Sequence, residues 1–507
     1  MRTITTWTIP WGRDSLSCEL PEKWEIHKEI VSGSKRDQGS AASSPKENTA
    51  DNEAASGTRK AGESNHHYLK TSQAMVEAAL SAPVNEMPLD QWELKGKKVV
   101  VVIDDDTRPT PVNVLFPPVA KQLEKAGVRE VTVLVALGTH AEMDRQGILQ
   151  RLGLDKASQY STALHMDIVN HDCWDEQALA VFPPESKINP KEPGCEQSGI
   201  QAESSQEKTD QAAGKEAGPA AETVYLNQVF TKADLVVSIG TIEPHLLAGF
   251  GGGLKNIVPG CASMDTIASV HLQGSCSHRY DNAGTIENPV RDKIEAYAQK
   301  FPGKYFLVNT VLDPDKHIAG VFCGDPIQAF RQGARLAGEV YGVQIERLYE
   351  VVIVNSYPME ADLRQGTKAL AHGMKALKED GLLIGMLKCD RGVGDMYVPS
   401  YFVSPHEFRE FARKVGSDRF MAARERFEGG LSMDDRYMLG FLTEMARRHK
   451  VLVYSPNLSE EVGAKFGAFE VFNQMEELWD RAVQLFPGKQ KAAALPYGGV
   501  NYPEINL

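Results

Sequence analysis

The sequence predicts an α/β protein of two domains, each with a mainly parallel sheet flanked by helices, and three observations carry that prediction. Its 507 residues exceed what one hydrophobic core of ordinary size can hold. Short runs of β-branched residues alternate with amphipathic stretches, as strands buried on both faces and their covering helices do. After about residue 345 the same alternation begins again. With 42% apolar and 24% charged residues, the chain carries enough hydrophobic material for both cores.

The first strand is KKVVVVID, ending at Asp104, and the helical stretch PVNVLFPPVAKQLEKAG follows it. A second strand, VTVLVALGT, ends at Thr139 and precedes DRQGILQRLG. The third, ADLVVSIGT, occupies residues 233–241 and runs into a glycine-rich turn. Such Val/Ile runs joined by helices predict a Rossmann-like sheet, whose ligands lie beyond the carboxyl ends of the strands. The second unit repeats the pattern with YEVVIVNSYP, the helical TKALAHGMKAL, then GLLIGML and KVLVYSP. The expected boundaries are therefore 1–344 for the N-terminal domain and 345–488 for the C-terminal one. A tail, 489–507, containing ALPYGGVNYPEI, is expected to pack back on the N-terminal domain. Residues 33–65 contain no large apolar side chain, and 186–222 are rich in Glu, Lys, Gln, Ala and Gly, so both are predicted to be disordered insertions.

Charge and composition narrow the function classes. A net charge of −13 repels phosphate backbones and anionic membrane surfaces, so neither nucleic acid nor a membrane is an expected partner. The N-terminus lacks a continuous apolar signal region and no apolar run approaches membrane-spanning length, which predicts a cytoplasmic protein. Seven cysteines without a C-x-x-C pair predict reduced thiols.

Several strand ends carry reactive side chains. After VVVVID come Asp104, Asp105, Asp106, Thr107, Arg108 and Pro109, with the proline ending the strand. Alone, this run fits a helix cap and a surface arginine as well as a ligand site. His140 follows VTVLVALGT, where an imidazole can exchange a proton near neutral pH. The most distinctive segment is SIGTIEPHLLAGFGGGLKNIVPG, residues 238–260, which holds His245, the glycines Gly249 to Gly253 and Lys255. Glycines after a strand let backbone N–H groups approach an anion, here with Gly251, Gly252 and Gly253 next to a lysine suited to covalent chemistry. The spacing matches neither GxxxxGK[ST] nor GxGxxG, which argues against a P-loop ATPase and a dinucleotide-dependent dehydrogenase. His271 lies on a helix sixteen residues beyond Lys255, and no second histidine or cysteine pair completes a zinc pattern. In the second half, Gln365 and Lys368 stand three apart on one helix face, positioned to reach a carboxylate.

Taken in order, IPWGRDSLSCELPE, DDTRP, GTH, EPHLLAGFGGGLKNIVPG, His271 and the Gln365/Lys368 pair resemble the nickel-pincer-dependent lactate racemase family over most of the chain outside the insertions. The EPH-to-PG block is the most specific part. The resemblance implies an isomerase that racemises or C2-epimerises a 2-hydroxy acid, with its active site in the interdomain cleft. It implies a nickel-pincer nucleotide, pyridinium-3-thioamide-5-thiocarboxylic acid mononucleotide with Ni(II), covalent on Lys255 and ligated by His271. His140 and His245 then resemble the two acid/base histidines, Asp105 and Thr107 cofactor neighbours, and Arg108, Gln365 and Lys368 substrate-binding residues. The implied partners are a small 2-hydroxy acid and the cofactor-synthesis enzymes, with oligomeric state left open. Lactate-handling members carry a tryptophan in the second domain, whereas this chain's only tryptophan after Trp174 is Trp479. The corresponding neighbourhood, SMDDRYMLGF, offers Arg436 or Tyr437 for substrate specificity. Two other readings stay open at this point: a nucleotide-dependent oxidoreductase, and a non-catalytic nickel or nucleotide-binding protein.

Overall fold

A computed structural model describes residues 6–28, 59–155, 162–183, 223–275, 282–394, 396–400, 404–428 and 430–505. The fold is α/β, with two six-stranded sheets. In the first, the spatial order is Ile318–Gly324, Lys304–Leu312, Leu235–Thr241, Val99–Asp104, Glu130–Ala136 and His165–Asn170. All neighbours are parallel except the Ile318–Gly324 edge, which returns antiparallel. Winding outward in both directions from Val99–Asp104, this is the doubly wound order. The winding reverses between Val99–Asp104 and Leu235–Thr241, which pair from Val99↔Leu235 to Ile103↔Ile239. Beyond their carboxyl ends lies the crevice that such sheets use for ligands.

The central strand shows why the sequence folds this way. Every residue of Val99–Asp104 is buried, and Val101, Val102 and Ile103 are wholly so. β-branched side chains fit a sheet covered on both faces, and each such side chain contributes about 1.5–3 kcal/mol on burial. Only Asp104 is polar, and it is tied down by Arg151 at 2.5 Å and by the Thr110 hydroxyl.

The second sheet runs Glu470–Phe472, Lys450–Tyr454, Leu377–Met386, Tyr349–Asn355, Gln490–Leu495 and Trp24–Lys28, all parallel. Its last strand comes from the start of the chain, beyond the hairpin Thr6–Trp11/Asp14–Glu19. Residue number 344 is therefore not a clean division between the sheets. The end of the chain splits likewise: Gln490–Leu495 lies inside the second sheet, whereas Tyr502–Ile505 pairs with Gly342–Ile345. Tyr502 is buried against Phe250, with ring centroids 6.3 Å apart.

Of the two polar stretches, 33–58 and 186–222 lie outside the described residues. Residues 59–65, predicted to be disordered, instead begin the helix Arg59–Ser81. That helix has an apolar C-terminal half, with Val76 and Leu80 buried in the core under the first sheet. No helix among the described residues is long and apolar enough to cross a membrane.

Candidate active site

A cavity of about 1200 Å³, its open mouth included, lies at the reversal point of the first sheet. Asp105 and Arg108 reach it from the end of Val99–Asp104, and His140 from the end of Glu130–Ala136. His245, Gly251, Gly252 and Lys255 reach it from the turn after Leu235–Thr241, and His271 from the helix Met264–Ser275. The helices Leu363–Met374 and Met433–Arg448 close the other side with Gln365, Lys368 and Tyr437. Asp105 and Lys255, 150 positions apart, thus share one wall because the winding order brings their strand ends together.

Two expected residues stand one layer back and one stands apart. The Thr107 backbone N–H donates to Asp105 Oδ1 at 2.7 Å, and its hydroxyl lies 3.5 Å from His140 Nδ1. Gly253 is buried behind the wall, its N–H donated to Asn309 Oδ1 at 2.7 Å. Arg436 is exposed, bonds through Nε to the Leu431 carbonyl at 3.2 Å and does not line the cavity. Its helix places Tyr437 and Met438 there instead, with the Tyr437 ring centroid 6.1 Å from that of His271.

The two cavity histidines differ in what holds them. His140 Nδ1 lies 2.8 Å from Asp105 Oδ2, so a hydrogen on Nδ1 is donated to a carboxylate and Nε2 keeps a lone pair. Burial pushes the Asp105 carboxyl up, but hydrogen bonds from His140 and Thr107 and the nearby Arg108 hold it well below the usual carboxylate range. His245 Nδ1 instead accepts the backbone N–H groups of Leu247 and Ala248, both at 3.2 Å, which puts the hydrogen of the neutral ring on Nε2. Burial, then the cations Lys255, Lys368 and Arg108, keep His245 far below the ordinary imidazole range, so it is neutral at pH 7.

The turn between them is shaped by glycine. Gly249 has φ +74°, and a Cβ there would stand 1.7 Å from the Thr285 carbonyl oxygen. The chain folds back on itself through the bridge His245↔Gly249 before the short helical turn Gly253–Asn256 presents Lys255. Burial, then Arg108, Arg291 and Lys368, bring the Lys255 ammonium down to about 7. Lys368 is brought down to about 8, by burial first and then by Arg108.

Four cationic side chains, Arg108, Lys255, Arg364 and Lys368, line the cavity of a protein whose net charge is −13. Its carboxylates are already engaged: Asp104 with Arg151, Asp105 with His140, and Glu243 with Arg108 at 3.3 Å. The cavity is therefore built for an anion. Glu243, Arg364 and Met438 were not singled out from sequence; the Glu of EPH was legible as a neighbour of His245, whereas nothing local marks the other two.

The residues present suit a covalently held, metal-binding nucleotide. Lys255 offers an amine that is half neutral near pH 7, His271 offers an imidazole on the same cavity wall, and the surrounding cations suit a phosphate. Gly252, with φ +73°, is required by the packing of the turn itself: a Cβ there would meet Asn309 Oδ1 at 2.8 Å.

Fold and site define a doubly wound α/β protein with an anion-binding, lysine- and histidine-bearing pocket at its switch point. Residues 51–184 and 202–284 match the lactate racemase N-terminal domain. The lactate racemase of Thermoanaerobacterium thermosaccharolyticum is 24% identical over 455 residues, 89% of this chain and 88% of that protein. The lactate racemase of Lactiplantibacillus plantarum is 26% identical over 321 residues, 63% of this chain and 66% of that protein. The solved lactate racemase apoprotein from T. thermosaccharolyticum superposes with a TM-score of 0.68 at 20% identity, covering 98% of this chain and 100% of that one. A Thermotoga maritima protein gives 0.57 at 16% identity, over 86% and 98%. The chain is thus similar to lactate racemases in sequence over most of its length, and in fold.

Proposed function

We propose that the protein is an isomerase that racemises or C2-epimerises a 2-hydroxy acid, using a nickel-pincer nucleotide joined to Lys255. The observation that carries this reading is the convergence of Lys255, His271, His140 and His245 on one cation-lined cavity at the sheet's switch point. Lys255 would hold the nucleotide and His271 its nickel. When bound, the group supplies a centre that takes hydride from the substrate's C2 and returns it.

The chain's own residues do the rest. Arg108 and Lys368 hold the substrate carboxylate, with Gln365 beside them as a further donor. His140 Nε2 receives the hydroxyl proton as the C–O bond becomes a carbonyl, and Asp105 stabilises the imidazolium so formed. His245 presents Nε2–H to the substrate oxygen as a hydrogen-bond donor that steadies the charge there, its Nδ1 being occupied by backbone N–H groups, and the His140 imidazolium returns its proton to that oxygen when the carbonyl is reduced again. The cleft between the sheets excludes water while the keto acid turns. Tyr437 and Met438 replace the tryptophan expected for lactate, which favours a 2-hydroxy acid with a different side chain.

Single enantiomers of chiral 2-hydroxy acids, incubated with loaded protein and followed by chiral chromatography, test the reading. The expected result is interconversion of a substrate's two forms with no added nicotinamide, lost in His140→Gln and His245→Gln proteins that still retain ligand. Inversion that requires stoichiometric nicotinamide, or unimpaired activity in both variants, would overturn it.

A further inference from the structure

Beneath the glycine-rich turn lies a charge that the proton and substrate chemistry leaves unused. Arg291 is completely buried, at 0% exposure, in the first turn of the helix Pro289–Ala298. The cap residue Asn288 accepts its backbone N–H at 3.0 Å, which fixes where its side chain starts. The guanidinium then gathers carbonyls from one short stretch of the turn. Nη1 donates to Gly252 at 3.3 Å, and Nη2 donates to Phe250 and, at 3.5 Å, to Ala248. Its carbon sits 4.1 Å from the centroid of the Phe330 ring. Among the described residues no carboxylate pairs with it, because the neighbouring Glu295 is taken by Arg331 at 2.8 Å. Gly253 fits only because it lacks a side chain: a Cβ would stand 2.9 Å from Phe330 and 3.3 Å from Arg291 Nη1.

A buried cation with no carboxylate in direct contact is costly even with Glu295 supporting its charge from a distance, and a neutral donor would brace three carbonyls with less penalty. We propose that Arg291 is a positioning residue for covalent loading of Lys255, fixing the turn through the carbonyls of Ala248, Phe250 and Gly252 while its own charge opposes a second positive charge on the Lys255 amine. This rests on the reading of Lys255 as the attachment point. Burial brings Arg291 down only to about 10, so it remains charged at neutral pH, and it is among the cations that hold the Lys255 ammonium down. A neutral amine is the nucleophile that acyl transfer to lysine needs.

The test uses the full chain without nucleotide. N-hydroxysuccinimidyl acetate acylates Lys255: the amine nitrogen forms the amide, N-hydroxysuccinimide leaves and a proton goes to solvent. The rate at the Lys255 peptide, read by mass spectrometry across pH, should inflect near 7 in the parent protein. In Arg291→Gln, which keeps a donor and loses the charge, the inflection should rise by about one unit, slowing acetylation at pH 7 about fivefold. Arg291→Lys, which keeps the charge, should stay near the parent value. An unshifted inflection in a folded Arg291→Gln protein, checked by circular dichroism, would reduce Arg291 to a structural brace and overturn the proposal. Should Arg291→Gln not fold, Arg291→Met, neutral and of similar length, is read in its place: a rise of about one unit supports the role of charge, and an unshifted inflection, or a rise of about a unit in Arg291→Lys, contradicts it. Failure of the protein to load a nickel nucleotide in cells would sink the functional reading while leaving this titration result standing.

Discussion

His140 and His245 are the same residue type in the same cavity, and their neighbours select opposite tautomers. A carboxylate behind His140 takes the hydrogen on Nδ1 and leaves a lone pair on Nε2, whereas two backbone N–H groups behind His245 occupy Nδ1 and leave the hydrogen on Nε2. Asp105→Asn tests the first arrangement. The two carboxylate oxygens accept from His140 and from Thr107, so an amide must point its NH₂ at one of two donors. Facing His140, it selects the tautomer with the hydrogen on Nε2 and removes the base. Steady-state turnover should fall about 10²–10⁴-fold with little change in the urea midpoint. Unchanged turnover would show that Asp105 only shapes the loop. Much of this layer was legible in the sequence because reactive residues sat at strand ends: Asp105, Arg108, His140, His245 and Lys255 all line the cavity. Arg436 and Tyr437 were not separable, since one helical step decides which faces inward and an approximate alignment does not fix that step. Arg291 was illegible, because an arginine in PVRDKIEAY reads as a solvated helix face and only the turn folding over it makes it internal.

At the scale of elements, the helix Leu363–Met374 does the positioning for Gln365 and Lys368. Asp362 caps it, accepting the Gln365 N–H at 2.9 Å, and lies 3.6 Å from Arg391. Asp362→Ala should cost about 1 kcal/mol of stability in urea unfolding. Because the frayed turn carries the side chains assigned to the substrate carboxylate, KM should rise more than kcat falls; the reverse pattern would place this helix outside substrate binding. The helix itself was readable from its periodicity, as were the Val/Ile strands. Gln490–Leu495 was not, since QKAAAL is poor in β-branched residues and becomes a strand only because it is enclosed between Tyr349–Asn355 and Trp24–Lys28. Residues 59–65 misled in the other direction, as composition predicts disorder where the rest of the helix Arg59–Ser81 has a core to pack on.

For the whole molecule, local pattern predicted two parallel sheets, while their winding order and exchanges of chain came from tertiary pairing alone. Contacts across the halves converge behind the site. His372, on the substrate-side helix, donates through Nδ1 to the Gly498 carbonyl at 2.7 Å, and Lys375 reaches the Ala283 carbonyl at 2.8 Å. The end of the chain is thereby woven between the helix that carries Lys368 and the turn that carries Lys255. In the function proposed above, a ligand on Lys255 meets a substrate held by the helix that carries Lys368, and that ligand is a nickel nucleotide. The most direct test is the intact mass and nickel content of protein made in cells that possess the cofactor pathway, with Lys255→Ala prepared alongside. A nucleotide-sized mass increment accompanied by nickel, both absent from the variant, is the predicted result. Bare mass without nickel, in cells that load a known lactate racemase, would contradict it.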